Sequence, residues 1–278
     1  MTDYPETITK AGHVEPMPRR LRATLGGETV FDTTRALYFW EFPRFPQFYV
    51  PLADVREGAL VAEREAHPSP FGMVAVHSLR AGGVERPHAA RVFTESEIPG
   101  IAGTVRFDWA ALDAWFEEDE EIFVHPRNPY VRVDALRSLR SLRVELDGTV
   151  FADAPSCVMV FETGHPTRYY LERTTIDFTA LVASETVTHC PYKGTTSGYW
   201  SGLTGDAASR DIAWAYDFPT RELGPIAGLV AFYNEKVDLF LDGEALERPQ
   251  TSLRPPPPSA TAPTSRARRS AGARRRTH

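Results

Sequence analysis

The chain has 278 residues, 42% of them hydrophobic and 24% charged, with a net charge of −6. This is the composition of a globular protein with room for one large domain or two small ones. The longest apolar runs, such as residues 157–161, are far too short to cross a bilayer, and residues 1–18 carry acids around no apolar core. Neither a membrane span nor a secretory signal is expected, and the expected location is cytoplasmic.

Cys157 and Cys190 are the only thiols, too few for a disulfide framework or a four-thiolate zinc site. The charge is unevenly placed. From Arg254 onward there are seven arginines and no acid, which leaves −13 on residues 1–253. An acidic folded part is a poor partner for a phosphate backbone.

In chain order, residues 1–18 read as a flexible lead. Short apolar runs broken by Gly, Pro and Asp then predict β-structure. Leu21-Arg22-Ala23-Thr24-Leu25 alternates, Gly26-Gly27 turns, Thr29-Val30-Phe31 resumes, and Ala36-Leu37-Tyr38-Phe39-Trp40 and Phe48-Tyr49-Val50 follow. Helix-forming residues and an acidic run over 108–121 predict a helix with a solvated acidic face. Ile122-Phe123-Val124 and Tyr130-Val131-Arg132-Val133 predict a closing strand pair, with its turn at 125–129.

The same order then returns. Leu142-Arg143-Val144-Glu145-Leu146, a turn at Asp147-Gly148, and Thr149-Val150-Phe151 repeat the first run at an offset of 121. Without a gap, that register pairs Arg22 with Arg143, Glu41 with Glu162, Tyr49 with Tyr170, and Pro70-Phe71 with Pro191-Tyr192. Phe107-Asp108-Trp109 resembles Tyr216-Asp217-Phe218 at a shorter offset. A short helix is expected over 219–227, and the runs 229–233 and 237–241 are expected to pair. Two tandem copies of one β-rich unit follow, the first over 19–138 and the second over 139–248. Residues 249–278, rich in Pro and Arg, bury too little to order and are expected to be disordered.

Thr188-His189-Cys190-Pro191-Tyr192-Lys193-Gly194-Thr195 with Tyr199-Trp200 concentrates a thiol, an imidazole, an ammonium, hydroxyls and rings in one loop-like run. Together with Ala213-Trp214-Ala215-Tyr216, Val230-Ala231-Phe232-Tyr233 and Asp242-Gly243, it resembles the bacterial and fungal family catalogued as domain of unknown function 427. The likeness spans residues 142–246 most strongly and the first copy more weakly. It implies a small, mainly β domain similar to the β-tent of R-type methionine sulfoxide reductases, here in two tandem copies with one or two short helices each. It implies no settled reaction. Nucleotidyl transfer is sometimes associated with the family, but no phosphate-cradling Gly-rich loop or paired acidic metal ligands support it here. The CxxC zinc pairs of those reductases are missing, so no metal site is expected, and no cofactor is identified.

Cys190 and Lys193 are the candidate catalytic groups. An ammonium three residues away would favour a thiolate, and a lysine before Gly194 can present a point charge to an anion. Against this stand a packed inert thiol and an ordinary surface lysine. Adjacent residues of an extended segment point to opposite sides, so His189 is not the obvious base for Cys190. Arg143, His189, Tyr192, Tyr199, Trp200, Trp214 and Tyr216 are the candidate ligand contacts, the aromatic ones equally readable as core. His125, with the other first-copy histidines, reads as a surface or turn residue. At the 121 offset His189, Cys190 and Lys193 face Pro68, Ser69 and Gly72, so the first copy is expected to be scaffold or one wall of a shared site.

The expected function is binding of, or catalysis on, a small anionic or nucleotide-like compound in the second copy. The alternatives are a non-catalytic protein-interaction module and a thiol redox enzyme using Cys190. The expected partner is a small anion, with nucleic acid or a membrane surface open only to the arginine tail.

Overall fold

The structure, a computed structural model, describes residues 10–203 and 209–249. The expected disordered tail, from residue 250 onward, lies outside the described residues. Segments of two to twelve residues build antiparallel sheets throughout the described residues, with only short 3₁₀ turns between them.

In the first unit the large sheet runs Val14–Pro16, Leu37–Phe39, Gln47–Pro51, Thr104–Phe107, Val84–Glu95, Gly72–Ala81, Leu60–Ala62. A smaller sheet runs Glu120–Ile122, Ala114–Glu117, Leu21–Leu25, Glu28–Thr33. In the second unit the large sheet runs Val133–Ser138, Cys157–Glu162, Arg168–Leu171, Val230–Phe232, Ala213–Ala215, Gly198–Gly202, Leu181–Ser184. Its small sheet runs Glu244–Ala245, Asp238–Leu241, Leu142–Leu146, Thr149–Ala154. The two orders are the same, and in the first unit His67–Ser69 pairs in addition with Gly72–Ala81.

The duplication extends to irregularities. The register slips between Ala23 and Thr24 in one copy and between Val144 and Glu145 in the other. A lone bridge joins Phe31 to Val55, and its twin joins Ala152 to Ile176. Both first hairpins close on two residues of positive φ, Gly26-Gly27 and Asp147-Gly148, the backbone that a two-residue turn between right-twisted strands requires. All three features keep the offset of 121.

Each large sheet buries both faces. In the second unit Met159, Leu171, Ala213 and Ala215 face the small sheet, and Val158, Val160, Tyr170, Tyr199, Trp214 and Tyr216 face away from it, beneath Leu223 and Ile226 of the 3₁₀ segment Arg221–Ile226. The two-residue period of a strand therefore separates Tyr199 from its neighbour Trp200.

Five local expectations are corrected. Residues 14–16 of the supposed lead pair with Leu37–Phe39 as an edge strand. Residues 108–121 form no long helix: after the turn Trp109–Ala111 they make Ala114–Glu117 and Glu120–Ile122, because Trp115 and Ile122 are needed in the core. Residues 122–124 and 130–133 do not pair with each other. Val133–Ser138 joins Cys157–Glu162 instead, ahead of residue 139, so the first copy hands its chain directly into the second sheet. Val230–Phe232 and Asp238–Leu241 belong to different sheets. Finally, strand registers equate Phe107 with Phe232, not with Tyr216, because the second copy carries extra residues ahead of its strands Gly198–Gly202 and Val230–Phe232, so the offset grows along the chain.

Candidate functional site

The run 188–200 folds into a two-stranded ribbon, His189 opposite Thr195 and Cys190 opposite Gly194, which leads into the sheet strand Gly198–Gly202. Gly194 has φ +96°, a conformation that costs little only without a Cβ. The turn is pinned from outside. The Thr220 amide donates to the Lys193 carbonyl at 3.2 Å, and the Thr220 hydroxyl to the Tyr192 carbonyl at 2.7 Å.

Held this way, the Lys193 side chain turns inward. It is 8% exposed, and its Nζ donates to Glu162 Oε2. Burial opposes the charged amine, yet the groups beside it, Cys190, Glu162 and Tyr170, outweigh it and hold the Lys193 pKa above its ordinary value. For Glu162 burial likewise opposes ionisation, but Lys193 and then His165 hold the carboxyl below its usual range. His165 Nε2 stands 3.7 Å from the other Glu162 oxygen, and burial pushes its pKa down despite Glu162. Cys190 is half-buried and free, and stands within electrostatic reach of Lys193, Tyr170 and Tyr216.

Behind the ion pair, one cross-strand row runs Val158, Tyr170, Ala231, Trp214, Tyr199. Trp214 Nε1 donates to the Tyr170 hydroxyl at 3.3 Å, and Tyr233 packs on Trp214 with ring centroids 4.2 Å apart. The Tyr199 hydroxyl bonds Tyr233 at 3.1 Å and Thr188 at 2.9 Å. Burial raises the Tyr170 pKa to about 12. Arg168 lies over Trp214 and Tyr233 and grips Glu235 with two bonds of 2.6 and 2.7 Å.

The first copy solves the same electrostatic problem with another residue. Its row is Leu37, Tyr49, Arg106, Arg91, Val76, so Arg106 stands where the second copy has Ala231. Arg106 pairs with Glu41 at 2.9 Å, and Tyr49 donates to the same carboxylate at 2.9 Å. The duplicated carboxylate thus takes its cation from the sheet in copy one and from the ribbon, through Lys193, in copy two. Ala231 is small enough to admit it.

Of the nine candidate residues, Cys190, Lys193, Trp214 and Tyr216 gather on one face, with Tyr199 linked through Tyr233. Tyr192 holds the edge of the ribbon. His189 is exposed, bonded to Thr195 at 2.8 Å and stacked on Phe123 of the first copy, away from the Lys193 amine. Trp200 lies on the opposite sheet face, against Phe178, with Arg173 over its ring. Arg143 sits on the small sheet, paired with Glu145, beside a cavity of about 390 Å³ that Asp153 and Phe240 also line. Sequence reasoning missed Glu162, His165 and Tyr170 as site members. The signal was present in the paired registers Glu41/Glu162 and Tyr49/Tyr170. His125 is in a turn, as one of its two expected placements had it, but not on the surface: half-buried at the junction, it stacks on Phe45 at 3.7 Å, and burial pushes its pKa down although Glu162 acts to raise it.

Among the described residues no group of three His, Cys, Asp or Glu side chains is placed to hold a metal ion, and no helix is long and apolar enough to cross a membrane. Fold and site together define a tandem, mainly β protein with one chemically furnished copy and one in which the same carboxylate is closed off by arginine. The chain belongs to the family described as domain of unknown function DUF427, which matches it twice, over residues 13–118 and 134–243. No curated protein matches the chain.

Proposed function

We propose that the second copy is a small-molecule site in which Lys193 is the anion-recognising or proton-handling group and Cys190 is the reactive group beside it. The observation that supports this is the Lys193–Glu162 pair itself. An ion pair this enclosed is a poor device for stability, since well-packed apolar residues do as well or better. Ionisable clusters of this kind mark functional sites more often than chance. The rings of Tyr199, Trp214 and Tyr216 are 3–5% exposed and packed together. That favours a small anion over a planar nucleotide base stacked on an open ring.

Alkylation of Cys190 in the whole protein tests this, with buried Cys157 as internal reference. Iodoacetate is itself a small anion, and iodoacetamide is its neutral match. The expected ratio of their rates at Cys190 exceeds that of a small free thiol and falls in Lys193→Met. A ratio equal to that of the free thiol would end the reading. One observation favours the non-catalytic alternative: the pair is charge-balanced and sits where the copies meet. On that alternative Lys193→Met changes stability and leaves the ratio untouched.

A further inference from the structure

We infer that segment 123–130, which leaves the first copy, is the positioning element of the Lys193 site, and that Arg127 and the Asn128 amide set where Cys190 and Lys193 stand. The inference rests on the site proposed above and assigns it to both copies jointly.

Three contacts carry it, all directed at the ribbon. Arg127 Nε donates to the Pro191 carbonyl at 2.7 Å, between Cys190 and Lys193 in sequence. The Asn128 amide donates to the Tyr192 hydroxyl at 2.8 Å. Phe123 stacks on His189 with centroids 5.4 Å apart. The segment is itself fixed from the first copy. Asn128, 1% exposed, donates through its side chain to the Arg44 carbonyl, and His125 stacks on Phe45.

The backbone bears the cost of this fit. Val124 has φ 71° in a three-residue turn closed by the His125 amide on the Phe123 carbonyl at 2.8 Å, and Arg44 has φ 112°. A β-branched residue and an arginine in that region are uncommon, and a γ-turn of this hand is strained. Such strain persists where surroundings over-determine it, and it collects at ligand clamps. Here the strained residues lie on two first-copy segments that meet each other, Arg44-Phe45 against His125 and Asn128. Charge agrees with the placement: Arg44 of the first copy joins Lys193 and Arg168 in disfavouring the protonated form of His165.

The test uses the whole protein and two readouts at Cys190, the rate with neutral iodoacetamide and the iodoacetate preference. Arg127→Ala is expected to raise the iodoacetamide rate about fivefold, the factor for losing one hydrogen bond that holds the ribbon closed, and to reduce the preference. Arg127→Lys, which keeps a donor, is expected to restore both. Tyr192→Phe removes only the oxygen that the Asn128 amide reaches and should act in the same direction, so it serves if Arg127→Ala does not fold. Folded Arg127→Ala and Tyr192→Phe proteins with unchanged rate and preference would overturn the inference while leaving the proposed site intact. A wild-type protein with no iodoacetate preference would instead overturn the proposed site, and the iodoacetamide rates alone would still decide whether the segment positions the ribbon.

Discussion

Consider removal of one member of the buried pair by Glu162→Gln. Both side chains are 10% exposed, and the Lys193 amine donates to the carboxylate that the change deletes. The amide keeps the shape but leaves an ammonium enclosed without its counter-charge. Breaking a buried pair from one side costs about 3–5 kcal/mol. At about 2–4 °C per kcal/mol for a folded region of this size, the melting temperature should fall by about 6–20 °C. Lys193→Met should cost less, because His165, 3.7 Å from Glu162, can take up a proton and supply a substitute cation. The double change Glu162→Leu/Lys193→Met should return to within about 1 kcal/mol of wild type, since neither member of the pair is then left without its counter-charge. Thermal and urea unfolding of the four proteins measure this. If Glu162→Gln melts at the wild-type temperature, the pair is solvated and the account of the site is wrong.

Other expectations follow from the same geometry. His125 and His165 have pKa values depressed below the ordinary 6.5 by burial, so the stability they contribute is present above that pH and is lost as pH falls through their folded values. Urea midpoints should therefore decline below about pH 6.5, and His165→Gln should flatten the decline. Ala231→Arg added to Lys193→Met recreates the first copy's arrangement and should recover about half of the lost stability. No recovery would mean that Arg106 and Lys193 are not equivalent cations. Gly82→Ala should be severe, about 3 kcal/mol or more, because the added carbon would lie 2.0 Å from the Gly26 carbonyl oxygen at a φ of +53°. An unchanged urea midpoint would show that the two turns can separate.

The alternation of short apolar runs, the Gly-Gly and Asp-Gly turns and the 121-residue offset are local features, and each could be read directly as sheet, hairpin and duplication. The amino-acid order also placed Cys190 and Lys193 in one ribbon, because a few residues of chain separate them. What it could not show was the partner of Lys193. Glu162 lies 31 residues away on a strand of the main sheet, and only the packing of that sheet face decides that the ammonium meets it. The same holds for the segment 123–130. The apolar runs on either side of it suggested a hairpin, but a strand chooses its neighbour by which sheet edge lies open: Glu120–Ile122 stays on the first copy's small sheet, Val133–Ser138 takes the open edge of the second copy, and 123–130 is left between them. Trp200 and Arg143 illustrate the converse: Trp200 is next to Tyr199 in the chain, yet strand alternation turns it to the other face, and Arg143, chosen for its chemical type, was carried off by the second sheet. Chemical type and spacing are written in the chain. Which groups confront each other across a sheet face depends on long-range burial, and only the tertiary structure decides it.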